Sequence, residues 1–271
     1  MENNIYHILF PYLKLSFNLS PVAFEIGSIS IKWYGIIIAV GFLVAYFYMN
    51  FRKTDFGFSG DDIADFVLVP SALAIIFARI YYIIFYPGDF YLKNPTEIIK
   101  ISHGGIAIYG AIIGGFIGLL IISKIKNKDF LNALDIMSLG LLVGQSIGRW
   151  GNFVNQEAFG SSTNSIFAMI SENTHGECVH PCFLYESFGC LLGFVVLHII
   201  TIHKRFSPGF VFICYLLIYG TLRLVIEHFR TDSLMIPNTS VKISSIVSLI
   251  LVVISILVIL INKKSRKNFT V

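Results

Sequence analysis

The sequence predicts an all-α, polytopic integral membrane protein with about seven transmembrane helices, an N-terminal interfacial helix and a small outer-face loop region. Two observations lead to this class. The chain of 271 residues is 55% hydrophobic and only 13% charged, with a mean hydropathy of +0.76, far from the composition of an ordinary soluble domain. Its apolar residues are also concentrated in segments that are long enough to cross a bilayer.

A spanning helix needs roughly 20 apolar residues, and seven stretches of the chain approach this length. Between them there is no room for a soluble domain, so we expect one transmembrane domain over residues 1–271. The longest connection, 148–182, is the predicted outer-face motif and loop region. The seven stretches are residues 31–51, 63–86, 103–123, 130–147, 183–202, 209–226 and 243–261.

The N-terminus lacks the features of a cleavable signal peptide. Residues 1–4 carry no basic cluster, and His7, Pro11 and Lys14 interrupt the apolar stretch 5–15. A signal peptide has a basic start and an unbroken apolar centre. We therefore expect residues 5–15 to form a helix that lies in the membrane interface.

The distribution of lysine and arginine among the loops predicts the orientation of the chain. Basic residues cluster in alternate connections, which the positive-inside rule assigns to the cytoplasm together with the C-terminus. The N-terminus and the connections 87–102, 148–182 and 228–242 are then outside. The net charge of +4 reflects this topology and does not indicate nucleic-acid binding. The cytoplasmic basic residues are Arg52, Lys53, Lys124, Lys126, Lys128, Lys204, Arg205, Lys263, Lys264, Arg266 and Lys267.

Residues 148–157, with the sequence GRWGNFVNQE, directly follow an apolar segment. They place Arg149, Asn152 and Glu157 where hydrocarbon gives way to water, and such polar groups cost several kcal/mol unless they find partners. Gly148 and Gly151 flank the arginine, so we expect the backbone to leave helical geometry there and form an anion-binding turn. A phosphate is the expected ligand.

Three further residues are candidates with competing interpretations. Tyr34, beside Trp33 at the start of the first helix, is more typical of an interfacial anchor than of a ligand. Arg79, near the outer end of the second helix, fits a snorkelling side chain or a functional one. His103 precedes Gly104 and Gly105 at the start of the third segment, where a histidine is a candidate general base.

Small residues and cysteines have structural interpretations. Gly110, Gly114 and Gly118 recur at a spacing of four, which predicts close helix packing. The outer loop holds His175, Cys178, His180 and Cys182, but it lacks the paired C-x-x-C spacing of zinc sites. A disulfide between Cys178 and Cys182 or two free thiols is favoured over a metal on an oxidising face. Cys190 and Cys214 lie in apolar helices and are expected in the core.

The sixth segment ends with Tyr219, Arg223 and Glu227 at a spacing of four, which places them on one helix face. One interpretation is an Arg223–Glu227 pair that only neutralises itself. Such a pair would not require Arg149, which ends a different helix at the same depth near the outer face of the membrane. A site for an anionic lipid head group explains both arginines.

These motifs together resemble those of the prolipoprotein diacylglyceryl transferases of bacterial plasma membranes, over nearly the whole chain. The ten-residue stretch 148–157 is the most specific of them. The resemblance rests on WYG at 33–35, ARIYY at 78–82, HGGIAIYG at 103–110, GRWGNFVNQE at 148–157, HP at 180–181 with LYE at 184–186, and residues 219–230 followed by TDS. The chain departs from the family at 161–163, where SST replaces a Gly/Pro-rich continuation, and at Ser245, where glutamine is frequent.

The resemblance implies an enzyme that transfers the sn-1,2-diacylglyceryl group of phosphatidylglycerol to the lipobox cysteine thiol of a prolipoprotein signal peptide within the lipid bilayer. The products would be a thioether and glycerol 1-phosphate, and no cofactor or metal is implied. Arg149 and Arg223 are expected to clamp the phosphate and His103 to act as the base. Asn152 would orient the head group, and Glu157 and Glu227 would hold the arginines. The residues implied to bind phosphatidylglycerol are Tyr34, Arg149, Asn152, Glu157, Gly160, Tyr219 and Glu227.

The residues leave two other classes of membrane protein open. An anion or lipid transporter also places arginines beside glycine-interrupted helices, but it should show inverted repeats, and the sequence has no matching half-sequences. An intramembrane protease needs a Ser/His or paired Asp arrangement at membrane depth. No such arrangement stands out in the sequence. A purely structural protein would not need Arg149, Arg223 and His103 together.

Overall fold

The computed structural model describes residues 6–27, 29–100, 104–204, 206–233, 235–236, 239 and 241–268. Seven of its helices are long and apolar enough to cross a membrane, so the predicted class of a multi-pass helical membrane protein is confirmed. In chain order the helices are α1 (Trp33–Arg52), α2 (Gly60–Ile84), the short α3 (Phe90–Lys93), α4 (Ile108–Ile125), α5 (Phe130–Asn155), α6 (Cys182–His203), α7 (Phe210–Phe229) and α8 (Ile243–Asn268).

Two helix boundaries differ from the prediction in ways that concern function. Helix α5 continues to Asn155, beyond the predicted end at residue 147, so most of the GRWGNFVNQE motif is helical. Helix α4 begins at Ile108 rather than at residue 103. In both cases polar or glycine residues mark the edge of the apolar run, and hydropathy alone does not reveal where backbone hydrogen bonding stops.

The N-terminus forms strands, so the predicted interfacial helix over residues 5–15 is wrong. Strand β1 (Tyr6–Phe10) pairs antiparallel with β2 (Leu15–Leu19) across a turn that contains Pro11. Burial in β1 follows the period of two that a strand requires. Ile8 and Phe10 are buried against Phe153, Met169, Val179 and Phe183, whereas His7 and Leu9 are exposed. A second hairpin, β3 (Val22–Ile26) and β4 (Ile29–Lys32), leads directly into α1.

The described chain divides into two compact units. One unit comprises Met1–Phe47 and Ser138–Val271, and it contains α6, α7, α8 and residues 138–155 of α5. The other comprises Tyr48–Met137, with α2 and α4. The expectation of a single catalytic domain over residues 1–271 stays a prediction.

The glycines of α4 confirm the predicted close packing within the second unit. A Cβ added to Gly118 would lie 2.7 Å from the Cα of Pro70, and additions at Gly110 and Gly114 would meet the backbone carbonyls of Phe77 and Leu73. Helices α2 and α4 therefore contact each other backbone to backbone. Such contact is typical of helix pairs in a bilayer, where dispersion rather than the hydrophobic effect drives association.

Candidate functional site

Arg149 projects from the last two turns of α5, so the predicted anion-binding turn at Gly148 and Gly151 is wrong. Both glycines have helical neighbours on either side. They serve packing instead: a Cβ on Gly151 would come within 2.7 Å of the Tyr34 ring, and one on Gly148 within 3.3 Å of Ile38. Tyr34, at the start of α1, thus lies directly against the motif, and its side chain is partly exposed.

Two arginines from different helices share one buried carboxylate. Arg149 Nη2 of α5 lies 2.5 Å from Glu186 Oε1 of α6, and Arg223 Nη1 of α7 lies 3.1 Å from Glu186 Oε2. The two oxygens of Glu186 therefore bridge the two guanidinium groups. Glu186 is only 1% exposed, whereas 23% of the Arg149 side chain and 18% of the Arg223 side chain are accessible. The carboxylate is enclosed and the arginines keep one accessible side.

Arg223 has a second carboxylate partner on its own helix. Its Nη2 atom lies 3.0 Å from Glu227 Oε2, one turn further along α7, which confirms the predicted placement of both residues on one face. Glu227 is 1% exposed, and Ser233 and Ser244 approach its carboxylate. Two arginines and two glutamates make a cluster without net charge, which reduces the desolvation cost of burying it at a membrane helix end.

Glu186 is the residue that the sequence analysis missed as a site residue. It belongs to the LYE stretch of the resemblance, yet no role was assigned to it. The available signal was its position: it is the one carboxylate in the 22-residue helix α6, and an ionisable residue within a membrane span is a functional candidate with a partner to be found. Spacing along one helix cannot supply that partner, because both arginines come from other helices.

Glu157 does not hold the arginines, contrary to the sequence-based expectation. Its carboxylate is exposed and accepts a hydrogen bond from Asn152 Nδ2 at 2.8 Å and a longer one from Asn155 Nδ2 at 3.5 Å. Within the described residues the ion pairs of Arg149 and Arg223 go to Glu186 and Glu227. Because α5 ends at Asn155, Glu157 lies past the helix and folds back on Asn152 instead of facing the neighbouring helices.

Tyr219 completes the surroundings of Arg149. Its phenol group lies close to the Arg149 guanidinium, with Glu186 and Arg223 nearby. The structure thus brings together Tyr219, Arg223 and Glu227 of α7 with Arg149 of α5, as the resemblance implies. Asn152 lies in the next turn of α5 after Arg149.

Gly160 lies where three backbone segments meet. Its N–H donates to the His180 carbonyl at 2.8 Å, and the next residue, Ser161, donates to the Phe229 carbonyl at 2.8 Å. These bonds tie the segment after α5 to the entry of α6 and the end of α7. The His180 ring packs against the Phe229 ring at a tilt of 45°, and its Nδ1 lies 3.2 Å from the Tyr185 hydroxyl. Burial lowers the pKa of His180 below its ordinary value, because the surroundings disfavour the charged imidazolium.

A family model for prolipoprotein diacylglyceryl transferases matches residues 21–261. The chain belongs to this family. Two relatives named phosphatidylglycerol–prolipoprotein diacylglyceryl transferase, from Staphylococcus aureus strains Newman and USA300, are each 42% identical to the chain over 247 residues. The match covers 88% of this chain and 87% of each relative. The resemblance deduced from the motifs is therefore confirmed.

Substitution of Gly160 by alanine in this diacylglyceryl transferase family member is expected to lower stability by about 2 kcal/mol, within the range for overpacking a filled site. The added Cβ would lie 2.9 Å from each of Cys182 Sγ, His180 Cβ and the Phe229 carbonyl oxygen, and a hydrogen-bonded backbone cannot retreat. Thermal unfolding in detergent measures the effect. Gly35→Ala is the matched control, since its Cβ would meet nothing within 4 Å. Equal unfolding midpoints for both variants would contradict the packing role of Gly160.

His103, which the sequence predicts as the base, lies outside the described residues. The segments beside it are held by Arg79, whose guanidinium donates to the carbonyls of Gly104 at 2.6 Å and Gly105 at 2.8 Å, and to that of Ile98 at 3.0 Å. Arg79 is 6% exposed and also lies over the Tyr91 ring. Arg79 is therefore neither a snorkelling side chain nor a free cation. Its hydrogen bonds fix the backbone of the segment before α4.

The cysteines of this transferase family member are all free thiols. Of the two interpretations for Cys178 and Cys182, the structure has free thiols rather than a disulfide. Cys182 and Cys190 are buried, and Cys214 is half-buried. Cys190 is in the expected core position and lies near Arg149 and Glu186.

Proposed function

We propose that the protein is a phosphatidylglycerol–prolipoprotein diacylglyceryl transferase, which catalyses the first step of bacterial lipoprotein maturation. It transfers the diacylglyceryl group of phosphatidylglycerol to the thiol of a lipobox cysteine and releases glycerol 1-phosphate. The observation that carries this proposal is the bridge from Arg149 through Glu186 to Arg223, in a chain that belongs to the family. It presents two oriented guanidinium groups at the ends of membrane helices.

The reaction is a displacement at carbon. The cysteine sulfur attacks the glycerol carbon that carries the phosphate ester, a C–S bond forms, and the C–O bond to the phosphate breaks. The leaving group starts as a phosphodiester monoanion and departs as a phosphate monoester with more negative charge. Groups that bind negative charge at the phosphate therefore stabilise the transition state more than the bound lipid, which is the condition for catalysis.

Arg149 and Arg223 form the phosphate clamp in this proposal. Each guanidinium has more N–H donors than its ion pairs engage, and each keeps an accessible side. Glu186 lies buried behind them and sets the distance between the two groups. The cluster has no net charge before the lipid binds. The accessible N–H donors of the two arginines are oriented to bind the negative charge of the phosphate.

The lipid head group and glycerol need further contacts, which we assign to the residues around the clamp. Tyr34 and Gly151 form one packed side near Asn152, and the Asn152–Glu157 pair offers donors and acceptors for glycerol hydroxyls. Tyr219 supports Arg149. Gly160 keeps the segment after α5 in place, and Glu227 holds Arg223.

The activity is tested by incubating purified protein with phosphatidylglycerol vesicles and a lipobox peptide. The peptide mass should increase by one diacylglyceryl group, and glycerol 1-phosphate should appear in equal amount. A peptide with serine in place of the lipobox cysteine is the control, since its hydroxyl is a far weaker nucleophile than a thiol at neutral pH. No cysteine adduct with any phosphatidylglycerol tested would contradict the proposal.

His103 is proposed as the base that removes the thiol proton, since a thiol with a pKa near 8.5 is mostly protonated at neutral pH and an imidazole can accept the proton. His103→Gln keeps size and hydrogen bonding but not basicity, so transfer should fall about a hundredfold or more while lipid binding persists. His7→Gln, at an exposed strand position, is the control. Normal turnover of His103→Gln with an unchanged pH profile would assign the proton transfer to another group.

We propose that the N-terminus and the arginine cluster face outside and that the C-terminus is cytoplasmic, in the bacterial plasma (inner) membrane. The basic connections support this orientation. Reporter fusions at Lys128 and Lys264 should both read cytoplasmic, and a fusion at His175 in the segment between α5 and α6 should read as exported. A periplasmic signal from either lysine position would overturn the orientation.

A further inference from the structure

Beneath the arginine cluster, α5 and α7 present matching polar residues one helical turn apart. Gln145 precedes Arg149 by four residues on α5, and Tyr215 precedes Tyr219 by four on α7. Residues at this spacing lie on the same face of a helix. Gln145 therefore faces Tyr215, as Arg149 faces Tyr219.

The Gln145–Tyr215 pair is a polar contact inside apolar membrane spans. Gln145 Nε2 donates to the Tyr215 hydroxyl at 3.1 Å, and Tyr215 is only 8% exposed. The other amide atom, Gln145 Oε1, is buried and has no hydrogen-bond partner among the described residues. Leucine at position 145 and phenylalanine at position 215 would fill this space without leaving a buried polar atom unpaired. Helix packing alone thus does not account for the pair.

The Arg149–Tyr219 pair connects the Gln145–Tyr215 pair to the proposed clamp. The rings of Tyr215 and Tyr219 stack with centroids 5.9 Å apart and planes inclined by 13°, within the favoured range for offset aromatic pairs. The Tyr219 phenol in turn lies close to the Arg149 guanidinium. Arg149 therefore has Glu186 as its ion-pair partner and the Tyr219 phenol as a close neighbour.

We infer that Gln145 and Tyr215 are positioning residues for the phosphate clamp, an inference that rests on the proposed function. The amide fixes the Tyr215 hydroxyl, which fixes the plane of its ring. The stacked Tyr219 ring then holds its oxygen at the Arg149 guanidinium. Neither Gln145 nor Tyr215 touches the lipid in this arrangement, and their effect reaches the phosphate through Arg149 alone.

The test is Tyr215→Phe, which keeps the stacked ring and removes the hydroxyl. It should raise the KM for phosphatidylglycerol about three- to tenfold, the equivalent of one hydrogen bond, and leave the KM for the lipobox peptide unchanged. Tyr46→Phe, in α1 of the same unit, is the matched control with both constants unchanged. A purely structural role would instead lower the active fraction and alter neither KM.

A second readout does not need turnover, so it separates this inference from the proposed function. Phenylglyoxal modifies accessible arginines, and peptide mapping gives the rate at each one. In Tyr215→Phe the rate at Arg149 should rise about threefold, as expected for the loss of one weak restraint, while Arg223 serves as the internal reference. Unchanged rates at both arginines would overturn the inference even if transfer is active. Failure of the unsubstituted protein to transfer would overturn the proposed function alone.

The double variant Gln145→Leu with Tyr215→Phe removes both polar groups and fills the space with apolar atoms. It should fold at least as well as Tyr215→Phe, since no buried amide remains unsatisfied. The KM for phosphatidylglycerol and the Arg149 labelling rate should both stay raised, because the ring is still not anchored. Return of both to the unsubstituted values would show that the pair only satisfies itself.

Discussion

Replacement of Glu186 by glutamine is expected to lower diacylglyceryl transfer by about a hundredfold or more, the typical loss when an oriented donor at developing charge is displaced. The amide has one acceptor oxygen in place of two, and its NH2 group faces a guanidinium that also only donates. One of the two arginines therefore loses its bridge, and Arg149 has no other carboxylate among its described ion pairs. Transfer at equal protein abundance is the measurement.

The same substitution is expected to destabilise the fold by about 3 kcal/mol, because removing one partner of a buried ion pair leaves the other charge uncompensated. Glu177→Gln is the matched control, since that carboxylate is exposed and accepts a hydrogen bond from Ser162. Glu186→Asp separates charge from reach: it restores the charge, but the shorter side chain cannot bridge both arginines. Full activity of Glu186→Asp would show that only the charge matters.

Arg149→Lys and Arg223→Lys are each expected to reduce turnover by about a hundredfold to a thousandfold, or roughly 2.7 to 4 kcal/mol. Lysine keeps the positive charge but loses the planar fork that binds two phosphate oxygens at once. The fold should survive, since each lysine can still pair with Glu186 or Glu227. Transfer by both variants at equal membrane abundance measures the effect.

Arg52→Lys is the control for this pair of substitutions, because Arg52 is buried and paired with Asp55 in the other unit. If the arginines of the cluster only neutralise Glu186 and Glu227, lysine would replace them without loss. In that case removal of Arg223 together with Glu227 should restore function. Near-normal turnover of both lysine variants would overturn the phosphate clamp.

The seven spans were predictable because each depends on a local run of apolar residues. Arg223 and Glu227 were predictable as neighbours because a helix fixes the spacing of its own side chains. The N-terminal strands were missed because a short apolar stretch fits an interfacial helix as well as a strand, and only the contact of Ile8 and Phe10 with Phe153 decides between them.

Composition, hydropathy and motifs were sufficient to predict a multi-pass helical membrane protein, to indicate its family, and to mark Arg149 and Arg223 as costly residues that need anionic partners. The identity of those partners became visible in the packing of the helices. Among the described residues, Glu186 pairs with both arginines and Glu157 with neither, and Gly151 packs against the Tyr34 ring instead of forming a turn. Hydropathy and helical spacing are properties of one segment, whereas an ion pair between helices depends on how α5, α6 and α7 pack together.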